Sequence, residues 1–142
     1  MSQPIPPSAR ALIDSAPLAH FVTINPDGSP QVSCVWIGID DDRVYFASLT
    51  AHQKLRNIQR DNRVVLSIES PTQAAWGVQE YLVLYGHAAV SQGGGAEALQ
   101  RLAYRYMGPD AVFPDMESPP AGFVVWVTVD RIRGVGPWME GN

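Results

Sequence analysis

A chain of 142 residues, 46% of them hydrophobic, is long enough to bury one core and short enough to be one domain. Its formal net charge of −4 argues against nucleic acid as a partner, and no apolar run is long enough to span a membrane. One cysteine, Cys34, excludes an internal disulfide framework, and the start, Met1-Ser2-Gln3-Pro4, has neither the basic nor the apolar region of a signal peptide, so a cytoplasmic location is expected.

Twelve glycines and 12 prolines suit a loop-rich β architecture better than a helical bundle. Residues 1–7 form a Pro-rich arm, expected to be flexible or extended. Ser8 can cap a short helix to about Asp14, which Leu12 and Ile13 would dock on the core. From Leu18 to Asn25 the chain alternates as a strand does, with Ala19, Phe21 and Thr23 on one face and His20, Val22 and Ile24 on the other. Pro26-Asp27-Gly28 is a turn, so the next strand, about Pro30 to Ile39, pairs back as a hairpin. Asp40-Asp41-Asp42 turns again, and Arg43 to Ala47 returns as a third strand.

A helix is expected from about Ala51 to Arg60, then a fourth strand from Arg63 to Glu69. After a loop to Ala75, Val78 to Ser91 reads as one long strand with a bulge at Gly86. Ala96 to Met107 is an amphipathic helix with Leu99, Leu102, Ala103 and Tyr106 on its apolar side, stopped by Gly108-Pro109. Residues 110–121 are irregular. Phe123-Val124-Val125-Trp126-Val127 reads as a strand buried on both faces, and Pro137-Trp138 begins a tail. Six or seven strands with hairpin links and two substantial helices predict a mainly β fold, an antiparallel β-barrel with flanking helices.

The most informative stretch runs from Ser48 to Asn57. A strand feeds a helix N-terminus there, Ser48 and Thr50 offer N-cap hydroxyls, and Lys54 lies just inside. Free backbone N–H groups at such a junction, together with the positive end of the helix dipole, suit an anion. Four of the ten Lys and Arg residues, Lys54, Arg56, Arg60 and Arg63, fall in this segment of an acidic chain, which points to one small anionic ligand. The competing reading is a solvated basic helix face. Lys54 and Arg56 would point about 160° apart on a regular helix, so both cannot address one phosphate.

Other chemistry finds less support. His20, His52 and His87 lack metal-ligand spacing. No nucleophile elbow, P-loop or dinucleotide fingerprint is present. Cys34 stands between apolar neighbours on its strand face, Val32 and Trp36, where a buried, inert thiol is usual. Of the four tryptophans, Trp126 reads as core. Trp76 and Trp138 are harder to place in a core; each suits either an interface or lid, or a flat aromatic ligand near a phosphate anchor.

The chain resembles the pyridoxamine 5′-phosphate oxidase-like, split β-barrel flavin and deazaflavin oxidoreductases. The resemblance lies in an ordered set of features: Asp27-Gly28-Ser29-Pro30-Gln31, then Val44-Tyr45-Phe46-Ala47-Ser48 leading to Lys54-Leu55-Arg56-Asn57-Ile58, then Arg60-Asp61-Asn62-Arg63-Val64 and Gly86-His87-Ala88. It covers roughly residues 10 to 136, and in style it is most similar to small enzymes that use the deazaflavin coenzyme F-420. The resemblance implies a homodimer with cofactor at the subunit interface and a small-molecule substrate. It implies that Lys54 binds the cofactor phosphate and that Ser48, Thr50, His52 and Gln53 line the same loop. Gln31, Ser33 and Cys34 would lie near the ring system, Trp76 and Trp138 would come from the partner's side, and Asn57 would tie the helix to a neighbouring strand. His52 departs from the family, which often has a cation there, and histidine gives a weaker, pH-dependent phosphate contact. The function so implied is hydride transfer from reduced F-420 to a small organic acceptor. The alternatives are FMN on the same fold, or a non-catalytic protein that binds the cofactor or a tetrapyrrole such as haem.

Overall fold

Alternation of buried and open side chains decides where the strands lie. The computed structural model describes residues 2–141. The strands are β1 (Ala19–Ile24), β2 (Pro30–Val35), β3 (Gly38–Asp40), β4 (Arg43–Ser48), β5 (Arg63–Gln73), β6 (Gln79–Gln92) and β7 (Phe123–Val135). The helices are α1 (Pro7–Asp14), α2 (Gln53–Arg60) and α3 (Gly95–Tyr106), and Pro137–Glu140 forms a short 3-10 helix. The strands make one antiparallel sheet in the order β2-β1-β5-β6-β7-β4-β3. None of the helices described is long and apolar enough to cross a membrane.

The sheet curls around its inward side chains. Phe21 of β1 and Phe46 of β4 lie near opposite ends of the strand order, yet their rings meet edge-on with centroids 4.7 Å apart. Ile37, Leu66, Ile68, Leu82, Leu84, Val125 and Val127 fill the space between, all fully buried. Among the described residues no ladder joins the two ends of the sheet, so the barrel is split. Helix α3 covers the outside of β4 and β7 through Ala98, Leu102, Tyr45 and Val124. This is why β7 is apolar on both faces.

Three departures from the sequence expectations have physical causes. The strand expected over 30–39 divides at Trp36-Ile37, because β2 pairs with β1 while β3 pairs with β4 at the far end of the sheet. Inward alternation continues through Val35 and Ile37, both buried, so periodicity hides the crossing. The strand expected to end at Glu69 runs on to Gln73 after a register shift. Trp138 is not a tail residue open to a ligand. It is 5% exposed, seated over Gly136 and packed in the main core with Ile5, Ala9 and Leu12. The bulge expected at Gly86 is present: the β6–β7 register shifts between Tyr85 and Gly86, where an added Cβ would stand 2.2 Å from the Thr128 carbonyl oxygen.

Candidate functional site

Strand β4 delivers the chain to the site at Ser48, which is buried. The Ser48 hydroxyl donates to the Thr50 carbonyl at 2.6 Å, and the backbone N–H of His52 donates to the same oxygen at 3.0 Å. These bonds fold residues 48–52 into a tight elbow. Thr50 Oγ1 lies 2.8 Å from His52 Nε2. The expectation that Ser48 or Thr50 caps the helix is corrected here. His52, in extended backbone, is the N-cap, and no side chain caps α2. Both hydroxyls are spent on the elbow, so the first N–H groups of α2 receive no side-chain oxygen.

Helix α2 is locked to the barrel by Asn57, which is fully buried. Its Nδ2 donates to Thr23 Oγ1 and to Asn25 Oδ1, both at 3.0 Å, and its Oδ1 accepts from Gln53 Nε2 at 2.8 Å. Arg60 donates to the Ile24 carbonyl and to Asn57 Oδ1. The lock sets the rotation of α2 and thereby the direction of Lys54, three residues earlier on the helix.

Lys54 is half-buried, with Nζ 5.9 Å from the centroid of the Phe46 ring. It makes no ion pair among the described residues. Burial lowers its pKa from the ordinary lysine value. Arg56, by contrast, turns away, donating to the Ala51 carbonyl at 2.6 Å and to Gln53 Oε1 at 2.8 Å. The two cations diverge, as their spacing requires.

Lys54 lines a cavity of about 360 Å³ whose lining is mixed in character. Ser48, His52 and Lys54 are its polar residues and Trp36, Leu99 and Phe113 its large apolar ones, with Cys34 also at the lining. A cation without a counter-ion and flat aromatic surface in one cavity suit a planar molecule carrying an acidic group.

Of the residues singled out from the sequence, Cys34, Ser48, His52 and Lys54 meet at this cavity, with Thr50 beside His52; Cys34 is exposed there, not buried as its strand neighbours suggested, because β2 is an edge strand. Gln53 is turned to Asn57 and Arg56. Gln31 faces the barrel, its Oε1 accepting from Thr23 Oγ1 at 3.2 Å. Ser33 has a buried Oγ with no partner. Trp76 sits 70% exposed on the β5–β6 turn, outside the cavity of its own chain. Trp138 lies in the core, also outside it. Sequence reasoning missed Trp36, Leu99 and Phe113 as lining residues. Trp36 was visible as an aromatic beside Cys34, but Leu99 reads as ordinary helix apolar face and Phe113 lies in irregular chain. Among the described residues no group of three or more His, Cys, Asp or Glu is placed to hold a metal ion.

A larger groove, about 510 Å³, runs over the outer sheet face between β1, β5, β6 and β7. Its cations are engaged: Arg63 pairs with Asp61 at 2.8 Å, and Arg131 lies 4.3 Å from the centroid of the Tyr85 ring. The hydrogen bonds from Arg63 hold the Asp61 pKa down to about 2. The groove thus offers apolar surface more than an anion site.

The family model described as pyridoxamine 5′-phosphate oxidase matches residues 5–136. No curated protein sequence matches the chain. Among solved structures, an F-420 reductase is 25% identical with a TM-score of 0.71, covering 87% of this chain and 94% of its own. A conserved hypothetical protein from Mycobacterium tuberculosis is 22% identical, TM-score 0.70, covering 89% and 81%. The protein HupZ from Group A Streptococcus is 19% identical, TM-score 0.63, covering 89% and 90%. The last two are similar to this chain in fold.

Proposed function

Given that the chain belongs to the pyridoxamine 5′-phosphate oxidase family, we propose that the Lys54 cavity binds a phosphate-bearing flavin-type cofactor and that the protein is an oxidoreductase acting on a small organic molecule. The observation that carries this reading is Lys54, a half-buried ammonium with no ion-pair partner among the described residues, lining a cavity that also has aromatic surface. A buried charge without a partner costs stability, so a site that keeps one has a use for it. A phosphate at Lys54 would also meet the uncapped start of α2.

Deazaflavin F-420 is the favoured cofactor. The solved F-420 reductase supports this choice, and so does Arg56, an exposed guanidinium beside the elbow that pairs with no carboxylate among the described residues and could meet an acidic tail. When bound in reduced form, such a cofactor supplies a hydride, and the chain supplies binding, orientation and exclusion of water. No nucleophile or acid pair is then required of the side chains.

A homodimer completes the proposal. The outer face of the sheet carries Val32, Val22, Val65 and Tyr85 side by side across β2, β1, β5 and β6. Val32 is 56% exposed. An apolar row of this kind fits a second copy better than water. A partner docked there could bring its Trp76 toward the cavity.

The test is a pair of fluorescence titrations of purified protein with F-420 and with FMN. Tight F-420 and weak FMN binding is expected. The reverse would move the protein to the flavin branch of the fold, and binding of neither would overturn the cofactor reading.

A further inference from the structure

The Pro-rich arm is extended and fastened to the barrel. The Gln3 N–H donates to the Val129 carbonyl at 2.7 Å, and Gln3 Oε1 accepts from the Ile132 N–H at 3.1 Å. Two residues on, Ile5 is buried in the core. The Ile5 carbonyl accepts from Arg10 Nε at 3.2 Å, and the Pro6 carbonyl from the Arg10 N–H at 3.0 Å. Between this arm, the end of β7 and the 3-10 helix lies a cavity of about 470 Å³. It shares no lining residue with the Lys54 cavity.

The side chains of this cavity offer donors and apolar surface. Its apolar residues include Pro4, Pro6, Pro7, Trp138 and Met139, its polar side chains are Gln3 and Arg133, and no aspartate or glutamate lines it. Arg133 donates to the Ile132 carbonyl at 2.8 Å and makes no ion pair among the described residues. Core packing denies the Trp138 ring to a stacked ligand, yet its Nε1 is buried with no hydrogen-bond partner among the described residues. A buried donor left unmet costs free energy, so the atom calls for an acceptor. The arm does not supply one from Ile5 or Pro6, whose carbonyls are taken by Arg10.

We propose that this cavity is a second ligand site, for a small carboxylate with an apolar body, which pairs with Arg133 and accepts a hydrogen bond from Trp138 Nε1. The planar fork of a guanidinium matches a carboxylate, and prolines, which have no N–H, cover an apolar body without competing for its charge. Nε1 is closed to solvent, so the carboxylate reaches it as Met139, unbranched and 45% exposed, turns aside. The site does not depend on the cofactor reading.

The experiment titrates the ¹⁵N-labelled full chain with sodium benzoate at constant ionic strength and follows the indole N–H resonances of its four tryptophans. Benzamide, of the same shape without the charge, is the comparison ligand. Trp138→Phe assigns its resonance by loss of the peak, and sequential assignment replaces it if that variant does not fold. A saturable downfield movement of the Trp138 indole proton is expected. Arg133→Gln should weaken benzoate by about tenfold, the scale of a charged hydrogen bond, and benzamide should bind more weakly by a similar factor. Arg133 is exposed, so the melting temperature of Arg133→Gln should hold. The proposal is overturned if the Trp138 resonance does not move, if benzamide moves it as readily, or if Arg133→Gln binds benzoate as tightly as wild type. Movement of Trp36 instead, reversed by F-420 or FMN, would assign benzoate to the Lys54 cavity and overturn it equally. If neither cofactor binds while the benzoate series keeps its order, the cofactor reading falls and the second site stands.

Discussion

Asn57 of α2 and Thr23 of β1 share a hydrogen bond of 3.0 Å at a place where neither side chain has any exposed surface. One bond between two buried polar groups fastens the helix that carries Lys54 to the barrel. Replacing Asn57 by Ala would leave Thr23, Asn25 and Gln53 short of a partner. A loss of about 2–3 kcal/mol is expected, the scale of buried polar groups left unsatisfied. Urea denaturation measures it. A midpoint equal to wild type would show that α2 is held by Leu55 and Ile58 alone.

Lys54→Ala should behave oppositely. Removing a half-buried charge with no ion-pair partner relieves a desolvation cost, so stability should not fall. Cofactor affinity should drop by about 1.5–3 kcal/mol, the strength of a charged hydrogen bond. Fluorescence titration reads the affinity and circular dichroism the fold. Unchanged binding would remove Lys54 from the phosphate site.

The same lysine predicts a pH dependence with a definite sign. Burial depresses its folded-state pKa below the ordinary 10.5. The unfolded chain therefore holds this proton more tightly than the folded one, so the Lys54 contribution to stability rises with pH through the window below 10.5. Anion binding needs the proton, so affinity for the phosphate end should decline through that same window, earlier than for an exposed lysine. In Lys54→Arg the guanidinium stays charged and the decline should vanish. Titrations stepped from neutral to alkaline pH would compare the two, and matching profiles would refute the assignment.

Cys34 gives a readout that requires no activity. It is the chain's sole cysteine, exposed, and it lines the cavity. Alkylation by iodoacetamide, followed by mass spectrometry, should slow when cofactor saturates the protein. An unchanged rate would place the ring away from β2.

Light scattering tests the assembly. A dimer at micromolar concentration is expected for wild type, and Val65→Glu should give a folded monomer, because Val65 stands between Val22 and Tyr85 on the outer sheet face. A wild-type monomer would remove the interface.

Much of the fold was legible because strand alternation and turn chemistry are local. Ala19, Phe21 and Thr23 could be placed together on one face from spacing alone, and the Asp27-Gly28 turn required Ile24 to face Pro30. The polar half of the site was legible for a similar reason, since Ser48, His52 and Lys54 lie within seven consecutive residues. The apolar half was not. Trp36, Leu99 and Phe113 come from a sheet crossing, a helix and an irregular loop, and only packing brings them together. Trp138 misled because it follows a glycine and a proline just past the last strand, while it packs into a core that includes Ile5, Ala9 and Leu12 from the other end of the chain.

By itself, then, the order of residues determined the strands, their turns and the elbow with its lysine, because each depends on neighbours a few positions apart. Tertiary structure alone decided that the chain crosses the sheet at Trp36-Ile37, that Asn57 orients Lys54, and that Phe113 meets Trp36 at the cavity. These are contacts between residues 34 to 77 positions apart. They arise from the closure of the sheet around Phe21 and Phe46, which no local pattern encodes.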